Sequence, residues 1–378
     1  MKKYLFIYVL LLFVSSCQMK NESLNNRDIS LTYEKKLIFN TDSTEVSFKI
    51  FNVYIDKSTN SEFVCIFNEK NRHIELYDLT NECFLKSFKL ISKDFITSLA
   101  VADTNNVYIL FEDQCLLYNF KGNEIKSINF SKKTPNRSFF FSNIHHGFNM
   151  EFNEIEKSLN IPIYNYTISF ESTEFFNNPV EAKYYIENDS IVILPVKYPD
   201  FYQKKFYGFS TNINRTLNKD KNLHVYSFEL DPNLYVLNEK GIIKKFNCES
   251  NYQDEEPVPV EKGKEEDVQY KLDLLTVNPS YFNLSYDKYN KVYYRVFLKE
   301  LSLKNEDGTY NSLSDKKEIL QIINEDFEIV NEIPLENNKF NTSVLFPTKK
   351  GLAISSSHYK NKEHSTQGFS YYLIFLKK

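Results

Sequence analysis

Short runs of apolar, β-branched and aromatic residues, separated by polar turn formers, dominate the chain. Val46 to Ile55 (VSFKIFNVYI), Phe63 to Phe67 (FVCIF), His73 to Leu79 (HIELYDL) and Cys83 to Leu90 (CFLKSFKL) are strand-like. Asp56 to Asn60, Asn68 to Asn71 and Thr80 to Glu82 supply the turns between them. Flat and branched side chains suit a pleated surface, and four such runs at this spacing predict an antiparallel meander. The pattern then repeats. Ile96 to Ala102, Val107 to Phe111, Cys115 to Phe120 and Glu124 to Phe130 form a second set, with turns at Asp103 to Asn106 and Lys121-Gly122-Asn123.

Aligning HIELYDL with QCLLYNF puts Tyr77 over Tyr118, a spacing of 41, and aligning FVCIF with VYILF puts Phe67 over Phe111, a spacing of 44. Periods of about 40 to 50 residues with four strands each mark propeller blades. One meander buries too little by itself, whereas radial packing covers both of its faces. Later runs fit the same scheme: Leu223 to Leu230, Leu234 to Leu237, Gly241 to Asn247, Lys291 to Leu298, Glu318 to Ile323 and Glu328 to Pro334. The fold expected is all-β, a propeller of six or seven four-stranded antiparallel blades; a β-sandwich is the rival. Leu31 to Asn40 is strand-like, as is Phe369 to Phe375. Pairing of Lys35 to Phe39 with the last blade is therefore expected to close the ring. Residues 131–222 are irregular: Tyr164 to Phe170 and Ser190 to Leu194 look like strands, and Asn149 to Ser158 suits a short helix. Residues 249–268 (ESNYQDEEPVPVEKGKEEDV) read as an exposed charged loop within a single domain, with strands resuming at once.

Composition narrows the function classes. With 46 basic and 50 acidic residues there is no basic stripe, so nucleic acid is not an expected partner. The 33 Phe and 27 Tyr are read mainly as core. Cys65, Cys83, Cys115 and Cys248 allow three full disulfide pairings, and the sequence does not choose among them. No C-x-x-C occurs.

The N-terminus has a charged start (Lys2, Lys3), an apolar run from Tyr4 to Val14, small residues Ser15 and Ser16, then Cys17. This resembles the bacterial lipoprotein signal, in which cleavage precedes a cysteine that is then lipidated. The resemblance implies a signal peptide over residues 1–16 and a lipidated Cys17 with a flexible tether over 17–30. The propeller domain would then occupy 31–378. Gln18, where an aspartate would favour inner-membrane retention, leans towards the outer membrane. The apolar run is too short to span a bilayer, which takes about 20 residues.

Motifs for reaction chemistry are sparse. The chain has no G-x-S-x-G, no G-x-x-x-x-G-K and no H-E-x-x-H. His145-His146 is read as a loop pair, not a metal site, and Asn305-Glu306-Asp307-Gly308 as a hairpin turn that fails the calcium-loop pattern. No cofactor or metal is expected, and no catalytic residues are assigned. Tyr293 and Arg295, in the YYRVFL run, are the candidate ligand-binding residues: at a channel mouth they would hold a carboxylate or a sugar.

The lipoprotein start, LYDLTNECFLKSF, YYRVFL and KKGLAISSS together resemble a set of uncharacterised bacterial lipoproteins carrying a propeller-like domain of unknown function, over Leu31 to Lys378. The resemblance implies fold and location and brings no catalytic residues. The role expected is a membrane-anchored binding or scaffold propeller for a protein, peptide or glycan. The alternative is a propeller glycoside hydrolase or lyase acting on polysaccharide.

Overall fold

The computed structural model describes residues 31–39, 50–56, 58–92, 94–112, 114–130, 132–134, 138–142, 147–238, 241, 243–358, 360–361 and 368–376. Cys17 and the His145-His146 pair lie outside them. Six antiparallel sheets follow one another along the chain. Their first strands, innermost in each blade, are Phe51–Ile55, Ser98–Asp103, Glu151–Asn153 (with Phe139–Phe141), Ile213–Asn218, Ser280–Asp287 and Asn341–Thr348. Seams of buried apolar side chains link each blade to the next and the sixth back to the first, where Phe346 and Phe369 pack with Ile66 and Tyr77. The fold is a six-bladed β-propeller.

The ring closes as the sequence led us to expect. Leu31–Phe39 pairs antiparallel with Gly368–Leu376, with Lys35 opposite Tyr372 and Ile38 opposite Phe369, and so supplies the outer strand of blade 6. Joining the two ends of the chain in one sheet removes a free edge that would otherwise open the ring.

Each inner strand ends in a side chain that caps the turn after it. Asp56, Asp103, Asn153, Asn218 and Asp287 accept from backbone N–H groups two or three residues on, and Thr348 does the same in blade 6. These short polar side chains mimic a backbone turn, which keeps the turns tight and this face of the ring flat. Asp287 is fully buried and accepts from Tyr289 N, Asn290 N, Asn290 Nδ2 and the Tyr294 hydroxyl. Asp287→Ala leaves one buried and three part-buried donors unmatched, so a loss of about 2–3 kcal/mol is expected in urea unfolding.

The irregular stretch departs from expectation in three places. Asn149 to Ser158 is no helix: Asn153 Oδ1 accepts from Ile155 N and Glu156 N, Lys157 takes a left-handed φ of 49°, and a hairpin forms. The strand anticipated at Tyr164 to Phe170 stops at Asn165, whose Oδ1 takes Thr167 N and starts a turn. Blade 3 divides its inner strand into two short pieces that pair the two ends of Ser158–Asn165. The charged stretch 249–268 is largely exposed, but a helix, Val268–Val277 capped by Asp267, follows it before strands resume. All four described cysteines are free thiols, three of them buried in blade seams. Residues 304–310 form a turn closed by a Lys304–Tyr310 bridge.

Candidate functional site

The inner strands surround a central channel that encloses a cavity of about 260 Å³, lined from blades 1, 3, 4, 5 and 6. Inner strands of neighbouring blades present backbone groups that no sheet partner satisfies, and short polar side chains fill that role. Asn52 Oδ1 accepts from Val101 N, Thr216 Oγ1 accepts from Tyr286 N, and Asn283 Nδ2 donates to Thr342 O.

The segment 147–150, between the two halves of blade 3's inner strand, crosses one end of the channel. Gly147 N donates to Ile213 O of blade 4, Met150 N donates to Ser98 Oγ of blade 2, and Asn149 Nδ2 donates to Phe51 O of blade 1. A Cβ at Gly147 would meet Asn214 Oδ1 at 2.6 Å, so any larger residue there would push the Asn214 side chain aside. This segment makes a floor. The opposite mouth opens among the tight turns, where Lys219, Asp220, Lys288 and Tyr289 stand.

The wall shared by blades 3 and 4 is unlike the rest. Five seams are sealed by strand residues from both blades. In the seam between blades 3 and 4 the fully buried apolar residues of blade 3 come from loops (Phe148, Phe175, Phe176, Val180), while its strands present Asn160, Glu181 and Lys183. Opposite them stand Arg215, His224 and Tyr226 of blade 4. Arg215 is an ion-pair hub. It bonds Glu151 through Nη1 and faces Glu181 at 3.2 Å through Nε, while the Phe148 ring lies 5.0 Å from its guanidinium carbon. Lys219 pairs with Glu151 at 3.0 Å, Lys183 with Glu156 at 2.8 Å, and the Tyr226 hydroxyl donates to Glu181 at 2.5 Å.

Burial acts against these charges, and the pairing outweighs it. Burial pushes the Glu151 carboxyl up, but Lys219 and Arg215 hold it below the ordinary carboxylate value. Burial acts the same way on Glu181, yet Arg215 and then His224 and Tyr226 bring it down to about 2. Burial lowers Arg215, and the charges of Glu181 and Glu151 more than restore it. Glu151, Glu181 and Arg215 are therefore charged at neutral pH.

A second distinct feature lies on blade 5. Asn283 has φ 48° at a bulge where the strand register shifts between Phe282 and Leu284, and its Nδ2 also reaches Ser343 O at 3.3 Å. A left-handed residue inside a strand is held only when its surroundings require it, and such positions concentrate at functional sites.

The candidate residues Tyr293 and Arg295 are placed elsewhere. Both are fully buried in the seam between blades 4 and 5 and neither lines the cavity. The Arg295 guanidinium donates to Pro232 O, Cys248 O and Gln321 Oε1 and stacks 4.1 Å from the Tyr281 ring centre. The Tyr293 hydroxyl accepts from Asn218 Nδ2. Alternation along Val292–Leu298 sends both side chains to one face, and that face meets blade 4, not the channel. Sequence reading missed Arg215, Glu151 and Glu181, which carry no local motif; the recurring Asp or Asn at inner-strand ends was a usable signal for locating the channel mouth.

Comparison with known proteins agrees with this fold. A family model described as a domain of unknown function, DUF4221, matches residues 28–334. The chain belongs to the DUF4221 family. A DUF4221 member from Bacteroides vulgatus is 19% identical, with a TM-score of 0.75 over 93% of this chain and 99% of that one. A protein of Bacteroides fragilis provisionally assigned as exported is 9% identical, with a TM-score of 0.56 over 94% and 98% of the two chains. No curated protein matches the sequence. Among the described residues of this DUF4221 chain, no helix is long and apolar enough to cross a membrane.

Proposed function

We propose that this DUF4221 protein is a cell-envelope lipoprotein, anchored through a lipid on Cys17, that binds its ligand in the central channel without transforming it. The ion pairing of the channel wall carries the reading. Glu151, the carboxylate that lines the cavity, is tied directly to both Arg215 and Lys219, so it is committed to the wall and not placed as a free proton donor. Groups locked in their charged forms hold and orient a ligand. The cavity size and its mixture of apolar rings with a few fixed polar groups suit a small ligand or the end of a larger peptide or glycan. The lipoprotein-like start at Lys2 to Cys17 supports the envelope location, and the exported assignment of the Bacteroides fragilis relative agrees with it. Gln18 favours the outer membrane.

The test is a thermal-shift screen of the purified protein with glycans, peptides and peptidoglycan fragments, run beside Ser285→Trp, which fills the channel from blade 5. A ligand at about 100 times its Kd adds about 2.7 kcal/mol, a rise of several degrees for a chain of this size. The rise is expected in the parent protein, to vanish in Ser285→Trp, and to leave the ligand chemically intact on recovery. A shift that survives the tryptophan, or a ligand recovered cleaved, would refute the reading.

A further inference from the structure

The geometry points to a neutral, hydroxyl-rich ligand, a pyranose sugar, read by the wall of blades 3 and 4; this inference rests on the channel being the binding site. Three observations lead to it.

The first is unmet hydrogen-bonding capacity on one wall. Asn214 lines the cavity, is 4% exposed, and has no partner for its Nδ2 among the described residues. Asn160 is fully buried directly behind Glu151, its cross-strand neighbour, and neither amide atom has a partner among the described residues. Arg215 Nε and Glu181 Oε1 face one another at 3.2 Å without hydrogen-bond alignment. Buried polar groups in native proteins are normally matched, and of these groups the Asn214 amide lines the cavity, so it marks where a polar partner sits, with Asn160 and the Arg215–Glu181 pair in the layer behind. The donor and acceptor character is mixed, as a hydroxyl, which does both, requires.

The second is charge balance. Glu151, Glu156 and Glu181 are answered by Arg215, Lys183 and Lys219 in direct ion pairs. Among the described residues of this wall each of these charges has a direct counter-charge, so an added anion or cation would meet a like charge with none of these left unpaired to receive it. A neutral ligand meets no such cost.

The third is the opposite wall. Blades 6 and 1 stand across the ring from blades 3 and 4, and line the cavity with Phe51, Val53, Phe346 and Pro347; the Phe51 and Phe346 rings are 6.1 Å apart. The channel is thus apolar on one side and rich in amide and paired-ion groups on the other. A pyranose has matching sides, a C–H face and a hydroxyl rim. The mouth through which it enters is the turn face, since residues 147–150 cross the other end.

The experiment is isothermal titration of the full chain with glucose, galactose, mannose, xylose and N-acetylglucosamine, with glucuronate and galacturonate, and with the tripeptide Ala-Ala-Ala. At least one neutral sugar is expected to bind saturably, and its uronate at least about tenfold more weakly. Asn214→Ala is expected to weaken that sugar about tenfold, the value of one hydrogen bond, with an unchanged unfolding temperature; Asn214→Gln tests whether the amide alone or its position matters. Binding of the uronate in preference to the neutral sugar overturns the inference, as does an Asn214→Ala protein that binds the sugar unchanged. If Ala-Ala-Ala binds and no sugar does, the sugar inference falls and the channel-binding reading stands. If no compound in this panel or in the thermal-shift screen binds, both fall.

Discussion

Arg215→Met is expected to unfold at a much lower urea concentration than the parent protein, with a loss of about 3–5 kcal/mol. The side chain is 2% exposed and holds two carboxylates at once, Glu151 at the channel wall and Glu181 in the seam. Methionine replaces its volume but not its charge. Glu181, with no exposure of its own, would be left with only the Tyr226 hydroxyl and the His224 ring beside it. The penalty is the uncompensated buried charge, so adding Glu181→Gln to Arg215→Met should restore part of the loss. A double-mutant cycle between these two positions measures the coupling directly; equal losses in the single and double variants would show that Arg215 acts by packing alone. The pH dependence gives an independent sign. Glu181 falls from its ordinary 4.5 to about 2 in the fold, so its contribution is fully present above pH 4.5 and is lost as pH drops towards 2. That acid limb should be much reduced in Arg215→Met.

The second large effect runs in the opposite direction. Glu229 is 1% exposed, accepts from Asn212 N and Nδ2, and is pushed by burial up to about 7 despite those bonds and the charge of Lys316. Its folded pKa lies above its unfolded value near 4.5, so it stabilises the fold fully below pH 4.5 and that contribution is lost as pH rises to about 7. The full shift corresponds to up to about 3 kcal/mol. Glu229→Gln removes the titration while keeping an acceptor for Asn212. The variant should therefore match the parent near pH 4.5 and exceed it in stability at pH 7.5. Glu318, which burial also raises to about 7 and which accepts from Thr342 Oγ1, should leave a residual slope of the same sign. A pH series of urea midpoints in both proteins checks this; parallel curves would show that Glu229 ionises in the fold as it does in the unfolded chain. Lys316, lowered by burial to about 8, is held up in part by the Glu229 charge, so in Glu229→Gln its own titration is expected to move down towards the upper end of this window.

These two groups show why much of the fold was legible and the site was not. Strand positions in blades 1 and 2 follow from local alternation, and the spacing of Tyr77 to Tyr118 correctly matched the third strands of two successive blades. Closure was readable because both chain ends carry strand patterns. Blade 3 was obscure because its inner strand is broken into two three-residue pieces, too short for any periodicity to register. Arg295 looked functional because a charge among apolar residues is conspicuous. Arg215, a cation that does line the channel, sits in the unremarkable run INRTLN.

The sequence alone determined a β-meander repeated into blades, a strand pattern at each end of the chain, and a lipoprotein-like N-terminus, since each is a local run of residues. The tertiary structure decided the number of blades and the location of the site. The channel wall joins Phe51, Glu151, Arg215, Asn283 and Phe346, which are brought together only when six sheets pack in a circle. Whether a buried charge faces solvent, a carbonyl or a carboxylate is set by the neighbouring blade, and no local pattern encodes that neighbour.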